Sequence, residues 1–264
     1  MKKRVVLVIA ILIGGFFVLN VNVMTRQTEG VMGLRGGGGN KNKLFLRPQD
    51  DTFEEYAFVH IPKNAGVAIG RTIEKYKLPI KICGHRGAAK CVGKKKAVVV
   101  VRNPLTRFAS AVKYALTFFS DVPHIREILN ENLITPQDWI DVLLHPTRNP
   151  KHTNLIMKQM NNNVKKAHRI DGRRTKFKWT YTSQVAWIGS LEQPVILRFE
   201  HLEEDWKMFL ERNKFSRQAT LSDRVTYRGK ASQEPSRIPA LSPDALQYLK
   251  TLYRRDFELY DAVN

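Results

Sequence analysis

Hydrophobic and polar positions divide the chain into stretches of distinct period. Residues 5–23 (VVLVIAILIGGFFVLNVNV) are apolar throughout except for Asn20 and Asn22 near the far end. After a polar, glycine-rich interval, residues 56–61 (YAFVHI) read as a short apolar strand stopped by Pro62. Apolar positions 69, 73 and 76 then recur at helical spacing over 67–76. Residues 97–101 (AVVVV) show no alternation, the pattern of a central parallel strand covered on both faces. Pro104 suits the first turn of a helix over 105 to about 119, and Thr135-Pro136 and Ser242-Pro243 are two more cap-then-proline starts. Residues 195–199 (VILRF) predict another buried strand, and 203–212 an amphipathic helix after it. The last segment, LSPDALQYLKTLYRRDFELYDAV, reads as one closing helix with a core face. Strands alternating with helices predict an α/β fold, a central mainly parallel sheet flanked by helices.

The first apolar run has its own meaning. Its nineteen residues span about 28 Å as a helix, close to the roughly 30 Å hydrocarbon thickness of a bilayer. Lys2, Lys3 and Arg4 in front of it are expected to stay cytosolic, which puts the rest of the chain on the lumenal side. A cleaved signal peptide is the alternative, but no small-x-small cleavage pattern follows and the run is long for one. The expected organisation is a cytosolic tail (1–4), a transmembrane signal anchor (5–23), a flexible stem (24–50) and a catalytic domain (51–264). The stem contains GLRGGGGNKNK, whose four consecutive glycines sustain neither helix nor strand cheaply. Cys83 and Cys91 are the only cysteines. In an oxidising lumen they can form a local disulfide, and they are too few to make a zinc site.

Composition narrows the class. Of the 264 residues, 43% are hydrophobic and 9% aromatic, too much core material for a disordered basic tail. Lys and Arg number 44 against 24 Asp and Glu, a formal net charge of +20 that favours polyanionic partners. Residues 145–178 carry many Lys, Arg, His and Asn, either as a solvated face or as a groove for an acidic acceptor.

Two strand-to-helix turns carry candidate chemistry. In FVHIPKNAGVAIG the first strand runs into Lys63, Asn64, Ala65 and Gly66 before a helix starts. Such a turn aims backbone N–H groups and the positive helix end at one point, beside a lysine ammonium. It lacks the Gly-x4-Gly-Lys-Ser/Thr of a Walker loop. In VVVVRNPLTRFASAVKY, Arg102 ends the second strand and Ser110 lies about two helical turns further on. An arginine at that strand end faces the crevice where α/β sheets bind ligands, and its fork matches a phosphate.

Taken together, H-I-P-K-x-x-G, V-R-N-P-x-x-R-x-x-S and R-F-E-H-L-E-E-D-W resemble the membrane-anchored carbohydrate sulfotransferases, in particular the heparan/dermatan 2-O-type and viral or algal relatives. The resemblance covers roughly residues 55–115 and 180–262. It implies a P-loop-like nucleotide-binding fold, 3′-phosphoadenosine 5′-phosphosulfate as sulfuryl donor, no metal, and a Golgi-lumenal, single-pass type II enzyme. It implies that Lys63 contacts the 5′-phosphosulfate and bridging oxygen, that Asn64, Ala65 and Gly66 supply loop amides, and that Arg102 and Ser110 bind the 3′-phosphate. It also makes Arg228, Lys230 and Ser232, in RVTYRGKASQ, candidate donor contacts. Where the family has Thr-Gly-Gly-Thr-Ser after the lysine, this chain has Asn64-Ala65-Gly66-Val67-Ala68, without the helix-start hydroxyls.

Transfer to a hydroxyl needs a base. In CGHRG, His85 stands where 2-O-type relatives have a His-Gly-His pair, with Cys83 at the first histidine's place. Glu74 and His60 are fallbacks, His60 reading as a packed imidazole. Arg198 and Glu200 are candidate cleft residues, and the acidic run 203–205 answers a helix dipole. The expected partners are an anionic glycan or polysaccharide acceptor and the membrane, with no nucleic acid. A kinase-like phosphotransferase is disfavoured, having neither Walker lysine nor acidic magnesium ligands. A non-catalytic, membrane-tethered binder of anionic glycans or nucleic acid on the same fold stays open.

Overall fold

The computed structural model describes residues 55–85, 88–161, 169–170, 173–174, 180–189, 191–215, 219–221 and 239–264. The expected anchor and stem and the candidates Arg228, Lys230 and Ser232 lie outside the described residues. Among those described, no helix is long and apolar enough to cross a membrane.

In chain order the first elements are β1 (Tyr56–Val59), α1 (Gly66–Lys75), β2 (Ile80–Cys83), α2 (Ala88–Val92) and β3 (Lys96–Val101). A helical layer follows: α3 (Pro104–Phe118), α4 (Pro123–Asn130), α5 (Pro136–Leu144) and α6 (Pro150–Met160). Next come β4 (Arg169–Ile170), β5 (Arg173–Arg174), α7 (Gln184–Ile188) and β6 (Val195–Arg198). A 3-10 turn (Phe199–His201), α8 (Leu202–Arg212), α9 (Pro243–Leu252) and α10 (Arg254–Val263) complete the chain.

The central sheet has the order β2-β1-β3-β6 with every pairing parallel, as the sequence pattern predicts. Its strands alternate between two separate cores. Tyr56, Phe58, Val98 and Val100 face Ile69 and Ile73 of α1 and Trp206 and Phe209 of α8. Ala57, Val59, Ala97 and Val99 face the other way, with Val92 of α2 and Trp187 of α7. The unalternating AVVVV is therefore a strand whose two faces are both buried. A third cluster holds the helical layer together around Trp139, Ile156, Tyr181 and Tyr253.

Helix starts follow the expected chemistry. Thr135 and Asp138 form a capping box on α5, and Ser242 caps α9 through Ala245 N. The closing segment differs from the expectation of one helix. It breaks at Tyr253 (φ −112°, ψ 25°), whose hydroxyl donates to Tyr181 O at 2.8 Å, and α10 restarts at Arg254. The basic stretch 145–178 is also less uniform than expected, because its first half is largely α6. Leu155, Ile156 and Met160 are buried there, while Lys151 and His152 both bond Glu131.

Candidate functional site

From β1 the chain passes through α1 to β2, and from β3 it leaves through the helical layer to β6 on the opposite side. The order therefore reverses between β1 and β3. The ends of these two strands border a crevice of the kind where open parallel sheets bind ligands.

The turn after β1 concentrates local costs. Lys63 (φ 68°) and Ala65 (φ 56°) both occupy the left-handed region without being glycine, a strain of roughly 1–3 kcal/mol each. Asn64 is buried between them. Its Nδ2 donates to Val100 O and Gln184 Oε1, both at 2.6 Å, while its Oδ1 is buried without a partner. Its backbone N–H donates to Ile61 O at 3.3 Å, so this amide closes the turn instead of facing the crevice. Ala65 starts α1 with no side-chain cap. The amides of Gly66, Val67 and Ala68 are thus first-turn donors that no side chain of the helix's own start satisfies.

Arg102 sits directly beside this turn. It donates from Nη1 to Lys63 O at 2.9 Å and from Nε to Thr106 Oγ1 at 3.0 Å, with its guanidinium carbon 4.0 Å from the centre of the Phe199 ring. A bidentate grip on a phosphate through those two nitrogens would have to exchange these bonds. Arg107, one helical turn into α3, is buried and donates to Pro62 O, Thr180 O and Thr182 O. Three cations thus meet at one crevice. Burial first, then Arg102 and Arg107, pull the Lys63 ammonium down to about 8. Burial likewise lowers Arg102 to about 10, opposed by Glu200. Lys63 Nζ lies 4.1 Å from the centre of the Tyr114 ring.

On the other side of β1, two imidazoles pack together. His60 and His85 have ring centres 4.3 Å apart, and His85 Nδ1 lies 3.2 Å from His60 O. A carbonyl only accepts, so Nδ1–H donates and Nε2 is left as the basic atom. Burial lowers His85 below its usual value, partly offset by that bond. Burial, His85 and Lys63 together push His60 down to about 4. Gly66 is required here because a Cβ would stand 1.7 Å from His60 Cδ2. The Cys83–Cys91 disulfide forms and closes the loop that carries His85.

A family model described as the sulfotransferase family matches residues 86–261, about two thirds of the chain. The chain belongs to the sulfotransferase family. No curated protein and no solved structure matches it. Membership supports sulfuryl transfer as the chemistry of this sulfotransferase. The matched span takes in β3, Arg102 and Ser110 but begins just after His85, so Lys63 and both imidazoles are tied to it by the fold. Among the described residues, no group of three or more His, Cys, Asp or Glu is placed to hold a metal ion.

Of the expected site residues, Lys63, Asn64, Ala65, Gly66 and Arg102 come together at the crevice. Ser110 lies half-buried on α3, one turn before Tyr114. Glu74 is exposed near the end of α1, about 12 Å along the helix from Gly66. Arg198 is taken up by Asp205, with Nε and Nη2 donating to its carboxylate at 3.0 and 2.7 Å. Glu200 does reach the crevice edge, where its Oε1 accepts from Asn103 N at 3.1 Å.

Three contributors carried no assigned role in the sequence. Gln184 accepts from Arg102 N at 3.0 Å and donates to Arg102 O at 2.8 Å, continuing the sheet's bonding with a side chain. Asp256, fully buried, accepts from Ser183 Oγ, Gln184 N and Val185 N and so fixes the start of α7. Arg107 was visible only as the second arginine of the R-N-P-x-x-R pattern.

Proposed function

We propose that this protein moves a sulfuryl group from 3′-phosphoadenosine 5′-phosphosulfate to a hydroxyl of an anionic carbohydrate. The carrying observation is that Lys63 and Arg102 adjoin at the uncapped start of α1, where three cations gather. Lys63 and those amides fit the phosphosulfate end of the donor, with Arg102 beside them for its other phosphate. Lys63 offsets charge developing on the phosphate as its bond to sulfur breaks. His85 Nε2 takes the hydroxyl proton while the acceptor oxygen bonds sulfur. His60 stays neutral beside it. Arg102 and Ser110 are assigned to the 3′-phosphate. The surplus positive charge favours an acidic acceptor. With the apolar run at 5–23 as an anchor, the reaction belongs to a lumenal compartment of the Golgi type.

Calorimetric binding of adenosine 3′,5′-bisphosphate, followed by labelled-donor transfer to a panel of desulfated glycans, tests this reading. Lys63→Ala is expected to weaken binding and slow transfer about 10²- to 10³-fold with the melting temperature unchanged. Absence of nucleotide binding by the wild type overturns the proposal. Binding without transfer to any glycan would favour a non-catalytic binder, consistent with apolar Val67 and Ala68 at the helix start.

A further inference from the structure

The Lys63 ammonium makes no hydrogen bond or ion pair among the described residues; what it touches is the face of Tyr114. It is half-buried, and the charged groups around it are Arg102 from the end of β3, Arg107 from α3 and His60 from the end of β1. Every one of them is a cation or a neutral imidazole. The carboxylates in this network act on the arginines, Glu200 on Arg102 and Asp256 on Arg107. A buried ammonium among cations would lose its proton readily unless something nearby favoured the charged form. An aromatic face does this without adding net charge, since its quadrupole attracts a cation. A carboxylate in the same place would hold the lysine harder and would repel an anionic donor. Tyr114 is placed for the task on α3, with Phe118 and Phe119 packed around its ring at 4.6 and 5.6 Å between centres.

We propose that Tyr114 is a positioning residue for Lys63: its ring keeps the lysine charged and in place while the crevice is empty, and yields it to the donor. This rests on the reading of Lys63 as the donor-binding lysine, but its test does not need turnover.

The experiment is the pH dependence of Lys63 acylation by acetic anhydride, read by mass spectrometry in the full-length protein, for wild type, Tyr114→Phe, Tyr114→Leu and Tyr114→Met. Losing the ring removes a preference for the protonated form, so the midpoint should fall by about half to one and a half pH units in the Leu and Met variants. The Phe variant should match wild type. Two aliphatic replacements guard against one failing to fold, which melting curves will reveal. Equal midpoints in wild type and a folded aliphatic variant overturn the proposal. So does a Phe variant that shifts as far as Leu, because the hydroxyl would then be the active part. If the midpoint follows the ring but no donor is ever turned over, the positioning stands and the transferase reading fails.

Discussion

The two strand-to-helix turns at the crevice are built from similar sequence and in opposite ways. After β3, the helix start is capped: the Asn103 side chain accepts from Leu105 N, Pro104 needs no partner at its nitrogen, and Arg102 is held through its backbone and its guanidinium. After β1, two non-glycine residues are left-handed, an amide oxygen is buried without a partner, and the helix starts uncapped. The difference assigns the roles. A turn with its donors spent is a frame, whereas a turn that keeps donors and strain unresolved is where a ligand can return the cost. The frame also holds the strained turn in shape, since Arg102 bonds Lys63 O and Asn64 reaches back to Val100 O.

The largest effect should come from a small change in the strained turn. In Gly66→Ala the new methyl would overlap the His60 ring, at 1.7 Å from Cδ2 and 2.1 Å from Nε2. The ring must move, and His85 is packed against it. Displacing a base by about 1 Å costs on the order of 10²-fold in rate. Single-turnover transfer should therefore fall by that much, in a protein that the overpacking destabilises by about 1–3 kcal/mol. Full activity in Gly66→Ala would separate the imidazole pair from the chemistry. The double variant with His60→Ala gives the methyl room and should recover the fold in any case.

The pH profile sharpens the comparison next. With Lys63 at about 8 and His85 below the ordinary imidazole value of 6.5, kcat/KM should be bell-shaped, falling tenfold per unit outside those limits. Lys63→Arg should push the alkaline limb out of range while leaving the acid limb. Stability follows the acid limb in sign and opposes the alkaline one. The folded state binds fewer protons than the unfolded one where Lys63 titrates, between about 8 and 10.5, so stability rises with pH across that window. His60, at about 4 when folded against 6.5, makes stability fall as pH drops through that interval. An alkaline limb that ignores the lysine substitution would remove Lys63 from the donor site.

How far the sequence reveals all this depends on distance along the chain. AVVVV is legible as a doubly covered strand because its pattern is local, and Lys63 and Arg102 follow from strand ends in a parallel sheet. The imidazole pair is not legible, because it depends on β2. IKIC is four residues with a lysine inside, too short for its period to mark a strand. Its register sets Cys83 opposite Val59, which brings His85 to His60. Gln184 and Asp256 reach Arg102 and the start of α7 across sequence separations of 82 and 72, where no local signal exists. The break at Tyr253 carries no Gly or Pro and follows from a hydrogen bond to Tyr181.

The smallest effect belongs to the satisfied turn, and it is diagnostic for that reason. Asn103→Ala removes the acceptor for Leu105 N at 2.9 Å but leaves Asn103 N on Glu200 and Pro104 in place. Loss of one such cap costs about 1 kcal/mol, a fall of roughly 2–4 °C in melting temperature for a domain of this size. If the β3 turn is a frame, kcat and the donor KM stay within about twofold of wild type, since the groups that hold the β1 turn are untouched. A tenfold loss of rate with so small a loss of stability would mean that the Asn103 side chain meets the donor. The turn after Arg102 would then be more than a frame, with the Asn103 side chain contributing a ligand beside that arginine.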